Sequence, residues 1–102
     1  MYVSMSRLRV AASESGALVD AFRGRAHLVD CAPGFIDLEV WRSDRDPEEV
    51  LMVSRWADRA SFTAYMRSPA HQVSHDRIAP ELQAAIKLER LEHLHTYEVV
   101  AT

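Results

Sequence analysis

Residues 35–56 constrain the fold of this chain more than any other stretch. The segment FIDLEVWR alternates strictly, with Ile36, Leu38 and Val40 to one side and Phe35, Asp37, Glu39 and Trp41 to the other, as a strand with one apolar face requires. The polar run SDRDPEE follows, and EVLMVSRW returns as a second strand. So short a connection permits only an antiparallel pair, and its apolar face has to be buried under another layer.

The flanking sequence supplies that layer. Residues 2–10 read as a strand with Ser4, Ser6, Leu8 and Val10 on one side and Val3, Met5, Arg7 and Arg9 on the other, so both faces are expected to be partly covered. From Gly16 to about Val29, Leu18, Val19, Phe22, Ala26 and Val29 recur at helical spacing, with Ser13 or Ser15 as the cap, before Pro33-Gly34 breaks the chain. Trp56 closes the third strand, Asp58 caps a second helix to about Arg67, and Ser68-Pro69 ends it and starts another. Residues 80–92 predict a short helix or ordered connection, and HLHTYEVV a fourth strand.

The resulting order, β-α-β-β-α-β, is the split βαβ of a ferredoxin-like α+β fold: one antiparallel four-stranded sheet with both helices on one face. Trp41, Trp56 and Tyr97 are assigned to the other face. A bare aromatic sheet of this size is an association surface, which predicts a homodimer packed sheet to sheet, a dimeric α/β barrel. With 102 residues, no repeats and no linker, residues 1–102 read as a single domain.

Composition removes several classes of function. Twelve Lys and Arg are interspersed with fifteen Asp and Glu for a net charge of -3, so no basic stripe is available for nucleic acid or an anionic membrane. No apolar run approaches the roughly 20 residues that cross a bilayer. Cys31 is the single cysteine, expected as a buried structural thiol, and the N-terminus lacks the features of a signal peptide; both fit a cytoplasmic protein. Glycine-rich phosphate loops and the G-x-S-x-G elbow are absent from the sequence.

Chemistry concentrates in WADRASFTAYMRSPAHQVSH, residues 56–75. His71 and His75 are four apart and share a helical face, but a metal site would need a third ligand, and the Glu of an H-E-x-x-H site is missing. A single neutral imidazole suffices as the axial ligand of a heme iron; the alternative is a solvent-facing histidine. Phe62 and Tyr65 lie one turn apart, either as core or as a pocket wall in which the Tyr hydroxyl meets a ligand. Ser6, mid-strand, is either filler or a hydrogen-bond donor. Arg7 and Arg9 pair with an acidic ligand or with neighbouring strand carboxylates.

Pro33-Gly34-Phe35, Trp56, Phe62, the aromatic at 65, the S-P-A-H of residues 68–71 and His75 together resemble the antibiotic biosynthesis monooxygenase superfamily of dimeric α+β barrels, over nearly the whole chain. The run from 62 to 75 is most similar to its heme-degrading branch. That resemblance implies His75 as the proximal iron ligand, with Trp56 and Phe62 shaping the heme pocket. It also implies two departures: Tyr65 stands where the branch has a Trp that presses on the heme, and Ser6 where it has an Asn on the distal side. Tyr distorts a macrocycle less than Trp, and a Ser hydroxyl reaches less far than an Asn amide, so heme binding is implied more strongly than ring opening. The function so implied is a heme-binding monooxygenase in which heme is both cofactor and substrate and an external donor supplies electrons. The alternatives are a cofactor-independent monooxygenase of a phenolic or polyketide-like aromatic, and a non-catalytic dimeric binding module.

Overall fold

The computed structural model describes residues 1–24, 28–71 and 91–102. Strand β1 (Tyr2–Arg9) leads to helix α1 (Ala12–Arg23), a 3-10 turn (Leu28–Cys31), strands β2 (Phe35–Arg42) and β3 (Glu49–Trp56), helix α2 (Arg59–Met66) and strand β4 (Leu91–Glu98). The sheet order is β2-β3-β1-β4 and every pairing is antiparallel, which is the expected ferredoxin-like arrangement. Strand β4 begins two residues earlier than predicted. The helix expected at 80–92 falls, apart from residues 91 and 92, outside the described residues.

Helix α1 departs from expectation at both ends. It begins at Ala12, with no side-chain cap at Ala11, so neither Ser13 nor Ser15 is the cap. Ser15 is instead inside the helix and buried, and its Oγ has no hydrogen-bond partner among the described residues. The helix ends at Gly24, whose N–H reaches the carbonyls of Asp20 and Phe22. Val29, which continued the apolar stripe in sequence, belongs to the separate 3-10 turn.

Strand β2 corrects the strict alternation. Its register against β3 shifts between Phe35 and Asp37, where two residues of one strand face one of the other. The extra residue turns Phe35 to the same side as Leu38, and both pack against the cluster around Trp56. Ile36, expected on the apolar face, is left 46% exposed. Period-2 reasoning cannot see a bulge, because the inserted residue only becomes visible against the partner strand.

Trp56 is the second correction. It was expected on the helix-free face, but it is 1% exposed and packs with Tyr2, Val29 and Phe62 on the face the helices cover. A second cluster, Leu8, Val10, Leu18 and Val50, lies at the other end of the same face, with Ala21, Phe22 and Val40 against it. The helix-free face carries Val3, Met5 and Arg7 on β1, Leu51, Val53 and Arg55 on β3, and Asp37, Glu39 and Trp41 on β2.

Candidate active site

Local chemistry fixes where α2 sits. Asp58, in extended conformation, accepts the Ser61 N–H at 2.8 Å, the N-cap the sequence predicted. Hydrogen bonds from Ser61 hold the Asp58 carboxyl below its ordinary range. Gly34 has φ +80°, and a Cβ there would overlap the Cβ and Oγ of Ser61. Its carbonyl accepts the Ala57 N–H at 2.7 Å. Pro33-Gly34-Phe35 therefore brings backbone against the first turn of α2 closely enough that no side chain fits.

That seating puts Phe62 and Tyr65 onto Trp56. The Trp56 ring meets Phe62 edge-on at 5.7 Å, Phe35 edge-on at 5.3 Å, and Tyr65 tilted at 5.5 Å; Tyr2 touches Phe62 at 5.6 Å. Such tilted and edge contacts are the favourable geometries for ring quadrupoles. The Trp56 indole Nε1 donates to Ser54 Oγ at 2.9 Å, which satisfies the buried N–H.

Past α2, Ser68 organises the turn in both directions. Its Oγ donates to the Tyr65 carbonyl at 2.6 Å and accepts the His71 N–H at 3.3 Å, while Pro69, Ala70 and His71 are helical. Ser68 thus caps the next helix, with Pro at its first position. The turn carries the His71 ring, half-buried, edge-on to Tyr65 at 5.4 Å. His75 lies outside the described residues.

Beside Tyr65 is a cleft of about 500 Å³, walled by Ala60 and Ala64 of α2 and by Ala32 and Pro33 of the preceding loop. The volume is in the range of small-molecule sites, and small side chains on both walls create it. Cys31 also lines the cleft and is exposed, which corrects the expectation of a buried thiol.

The structure brings together Trp56, Phe62, Tyr65 and His71, and keeps Ser6 apart from them. Ser6 is half-buried in mid-sheet, opposite Met52 on one side and Leu94 on the other, and is not part of the cleft wall. Ser4 and Ser54, directly opposed on β1 and β3, are 4% and 8% exposed. Sequence reasoning singled out neither, although the signal was present: small polar residues at inward positions of two central strands are informative when buried. Arg7 and Arg9 take the structural option, pairing with Glu49 at 2.6 Å and Asp46 at 2.7 Å. Asp46 also accepts the Glu48 N–H at 3.0 Å; that bond first and Arg9 second lower its pKa.

Among the described residues, no three of His, Cys, Asp and Glu come together as a metal-binding group. Among them too, no helix is long and apolar enough to cross a membrane.

A ferredoxin-like antiparallel sheet with an aromatic cluster and a histidine-bearing turn after α2 defines a small α+β protein with an open apolar cleft beside its second helix. The family model of antibiotic biosynthesis monooxygenases matches residues 1–77, and the chain belongs to that family. It is similar to a heme oxygenase (mycobilin-producing) of Mycobacterium tuberculosis, with 29% identity over 68 residues, 67% of this chain. The match spans 65% of the length of that relative. Among solved structures it is similar to a heme-degrader of Mycobacterium tuberculosis with two hemes bound in its active site, with a TM-score of 0.77 and 24% identity over 100% of this chain and 98% of that one. It is also similar to a variant of a cofactor-independent oxygenase from Streptomyces nogalater, with a TM-score of 0.69 and 16% identity over 99% of this chain and 94% of that one.

Proposed function

We propose that this chain is a heme-binding monooxygenase acting as a cytoplasmic homodimer, with His75 as axial ligand, Trp56, Phe62 and Tyr65 as the pocket wall, and Ser6 on the distal side. The observation that carries the reading is the Trp56–Phe62–Tyr65 cluster, whose Tyr65 borders an apolar cleft, immediately before the histidine-bearing segment. A porphyrin needs flat apolar walls and one imidazole, and the Tyr65 ring at the cleft, backed by Trp56 and Phe62, supports the first requirement. Similarity to the mycobacterial heme oxygenase supports the choice of ligand. The chemistry a bound heme supplies is dioxygen activation, with the macrocycle as substrate and electrons from an external donor. The chain's own residues position and shield it: Tyr65 and Phe62 pack one side, and the Ser6 hydroxyl offers a donor from the sheet.

The dimer reading rests on the helix-free face, where Trp41 is 40% and Tyr97 51% exposed. Tyr97 stacks on His95 at 6.4 Å, so the exposed rings lie on both edge strands.

A hemin titration followed in the Soret region tests the reading. We expect saturable binding, loss of the axial-ligand spectrum in His75→Ala, and retention of it in His71→Ala. The reverse pattern would move the ligand to the histidine that touches Tyr65. No hemin binding by the unmodified protein would sink the heme reading. Under ascorbate with catalase present, Tyr65→Trp with Ser6→Asn should degrade heme faster than the unmodified chain, since both changes act at the reacting centre.

A second reading, cofactor-independent oxygenation of a phenolic or polyketide-like aromatic, is favoured by the serines around Ser6. Their hydroxyls suit a substrate that carries oxygen at its edge better than they suit the hydrocarbon edge of a porphyrin.

A further inference from the structure

The geometry points to Ser4 and Ser54 as a specificity-determining hydroxyl pair that receives a neutral oxygen acceptor, a ring carbonyl or phenolic oxygen, of a flat aromatic ligand lying on the sheet against Ser6. This rests on the placement of the ligand against Ser6 and deepens the second reading of the site.

Three facts converge on the pair. First, Ser4 and Ser54 are cross-strand partners on the helix-covered face, where opposed Cβ atoms stand about 4.5–5.5 Å apart, so both hydroxyls can reach one ligand atom. Ser6 is two residues along the same face, so the three hydroxyls form one continuous patch.

Second, the patch lies between the two apolar clusters and belongs to neither. Toward one end of the sheet the next inward pair is Tyr2 with Trp56; toward the other it is Leu8 with Val50, beyond Ser6 and Met52. A domain of this size ordinarily packs one contiguous apolar core over its sheet. Here the middle of the covered face is hydroxyl-bearing, at 4% and 8% exposure, where Val or Leu would be the stabilising choice.

Third, the Ser54 hydroxyl is oriented. Its oxygen accepts the Trp56 indole N–H at 2.9 Å, so its own hydrogen is the one left to donate, and accepting that bond makes it a better donor. Among the described residues, neither Ser4 nor Ser54 makes a hydrogen bond from its hydroxyl hydrogen to another side chain. Neither hydroxyl carries charge, and among the described strand residues the neighbours of the pair and of Ser6 on this face are uncharged: Leu38, Val40, Met52, Leu94 and Thr96. A neutral acceptor therefore matches the pair, whereas a buried carboxylate would be desolvated without a counter-charge.

Fluorenone and fluorene test this directly, because they share one flat shape and differ by a single carbonyl. We expect the unmodified protein to bind fluorenone about tenfold more tightly than fluorene, with the fluorenone carbonyl infrared band shifted to lower frequency by hydrogen bonding. Ser4→Ala and Ser54→Ala should each cut that preference to about threefold or less and return the band toward its apolar-solvent position, with fluorene affinity unchanged. Ser54→Thr, which keeps the hydroxyl and the acceptor for Trp56, should retain the preference; near-UV circular dichroism of each variant checks that the Trp56 packing is intact. Equal binding of the two ligands, or a preference that survives both alanine variants, overturns the hydroxyl pair while leaving a ligand site on the sheet. Hemin binding with no binding of fluorenone or fluorene overturns the pair and leaves the heme reading standing; binding of none of the three overturns the ligand site itself.

Discussion

The two faces of the sheet are written on alternate residues of the same strands, yet they are held by different physics. On the covered face, Trp56 and Val50 of β3 are at most 1% exposed, and aromatic rings interlock at 5.3–5.7 Å. On the free face, Arg55 of the same strand reaches Asp37 and Glu39, each at 3.0 Å, and Trp41 is 40% exposed. Hydrogen bonds to Glu39 and then Asp37 hold the Arg55 proton more firmly than usual. Burial stabilises the first face; on the second, Val53 is buried as well, at 1%, but the exposed ion pairs beside it contribute little in water and set pairing and register more than stability. The lesson is that an aromatic residue in a strand means core or interface depending on one step of parity, and Trp56 and Trp41 fall on opposite sides of that step.

Replacing the two tryptophans should separate the faces most sharply. Trp56→Ala should cost about 3–5 kcal/mol in urea unfolding, since it empties the centre of the aromatic cluster and leaves the Ser54 hydroxyl without its indole donor. Trp41→Ala should leave the folded protomer nearly as stable and act instead on association. Sedimentation of Trp41→Asp should show the 11.6 kDa protomer at concentrations where the unmodified chain is expected to sediment as a dimer. If Trp41→Ala unfolds the chain as readily as Trp56→Ala does, the two faces are not different in kind.

Gly34→Ala is the next largest effect expected, about 2–3 kcal/mol, from the left-handed backbone and the overlap with Ser61. Its loss should fall on the docking of α2, so near-UV circular dichroism from Trp56 should change more than the far-UV spectrum. Ser15→Ala should run the other way and stabilise by about 1 kcal/mol, because it removes a buried hydroxyl with no partner among the described residues and improves a helix position. A drop in melting temperature would show that the hydroxyl has a role in the fold.

The smallest effect is a pH dependence at the α2 cap. Asp58 has a lowered folded pKa, so its contribution is present above the unfolded carboxylate value near 3.8 and is lost as pH falls through the lower folded value. Asp58→Asn should therefore differ from the unmodified chain at neutral pH and converge with it in strong acid. Parallel stability curves across that range would show that the charge of Asp58 is irrelevant to capping.

Much of this was legible in the order of residues. The β2-β3 hairpin, the Asp58 cap and the Ser68-Pro69 restart follow from local chemistry, and each is present where the sequence put it. Tyr65 and Phe62 were left open between core and pocket wall; Phe62 is core, 8% exposed, whereas Tyr65 packs against that core and also borders the cleft. The misses have a common cause. The start of α1, the exposure of Ile36 and Cys31, the burial of Trp56 and the opposition of Ser4 to Ser54 all depend on what a second segment places alongside.

By itself, then, the sequence determined the elements, their antiparallel order and the caps that start and stop α2, because those depend on backbone preferences and side-chain bonds within a few residues. Only the tertiary structure decided which parity of β3 lies under the helices, because a bulge between Phe35 and Asp37 and the close approach of Gly34 to Ser61 set how α2 rests on the sheet. It likewise decided that three serines share one patch between two apolar clusters, since register across strands is a property of paired backbones and is not written in either strand alone.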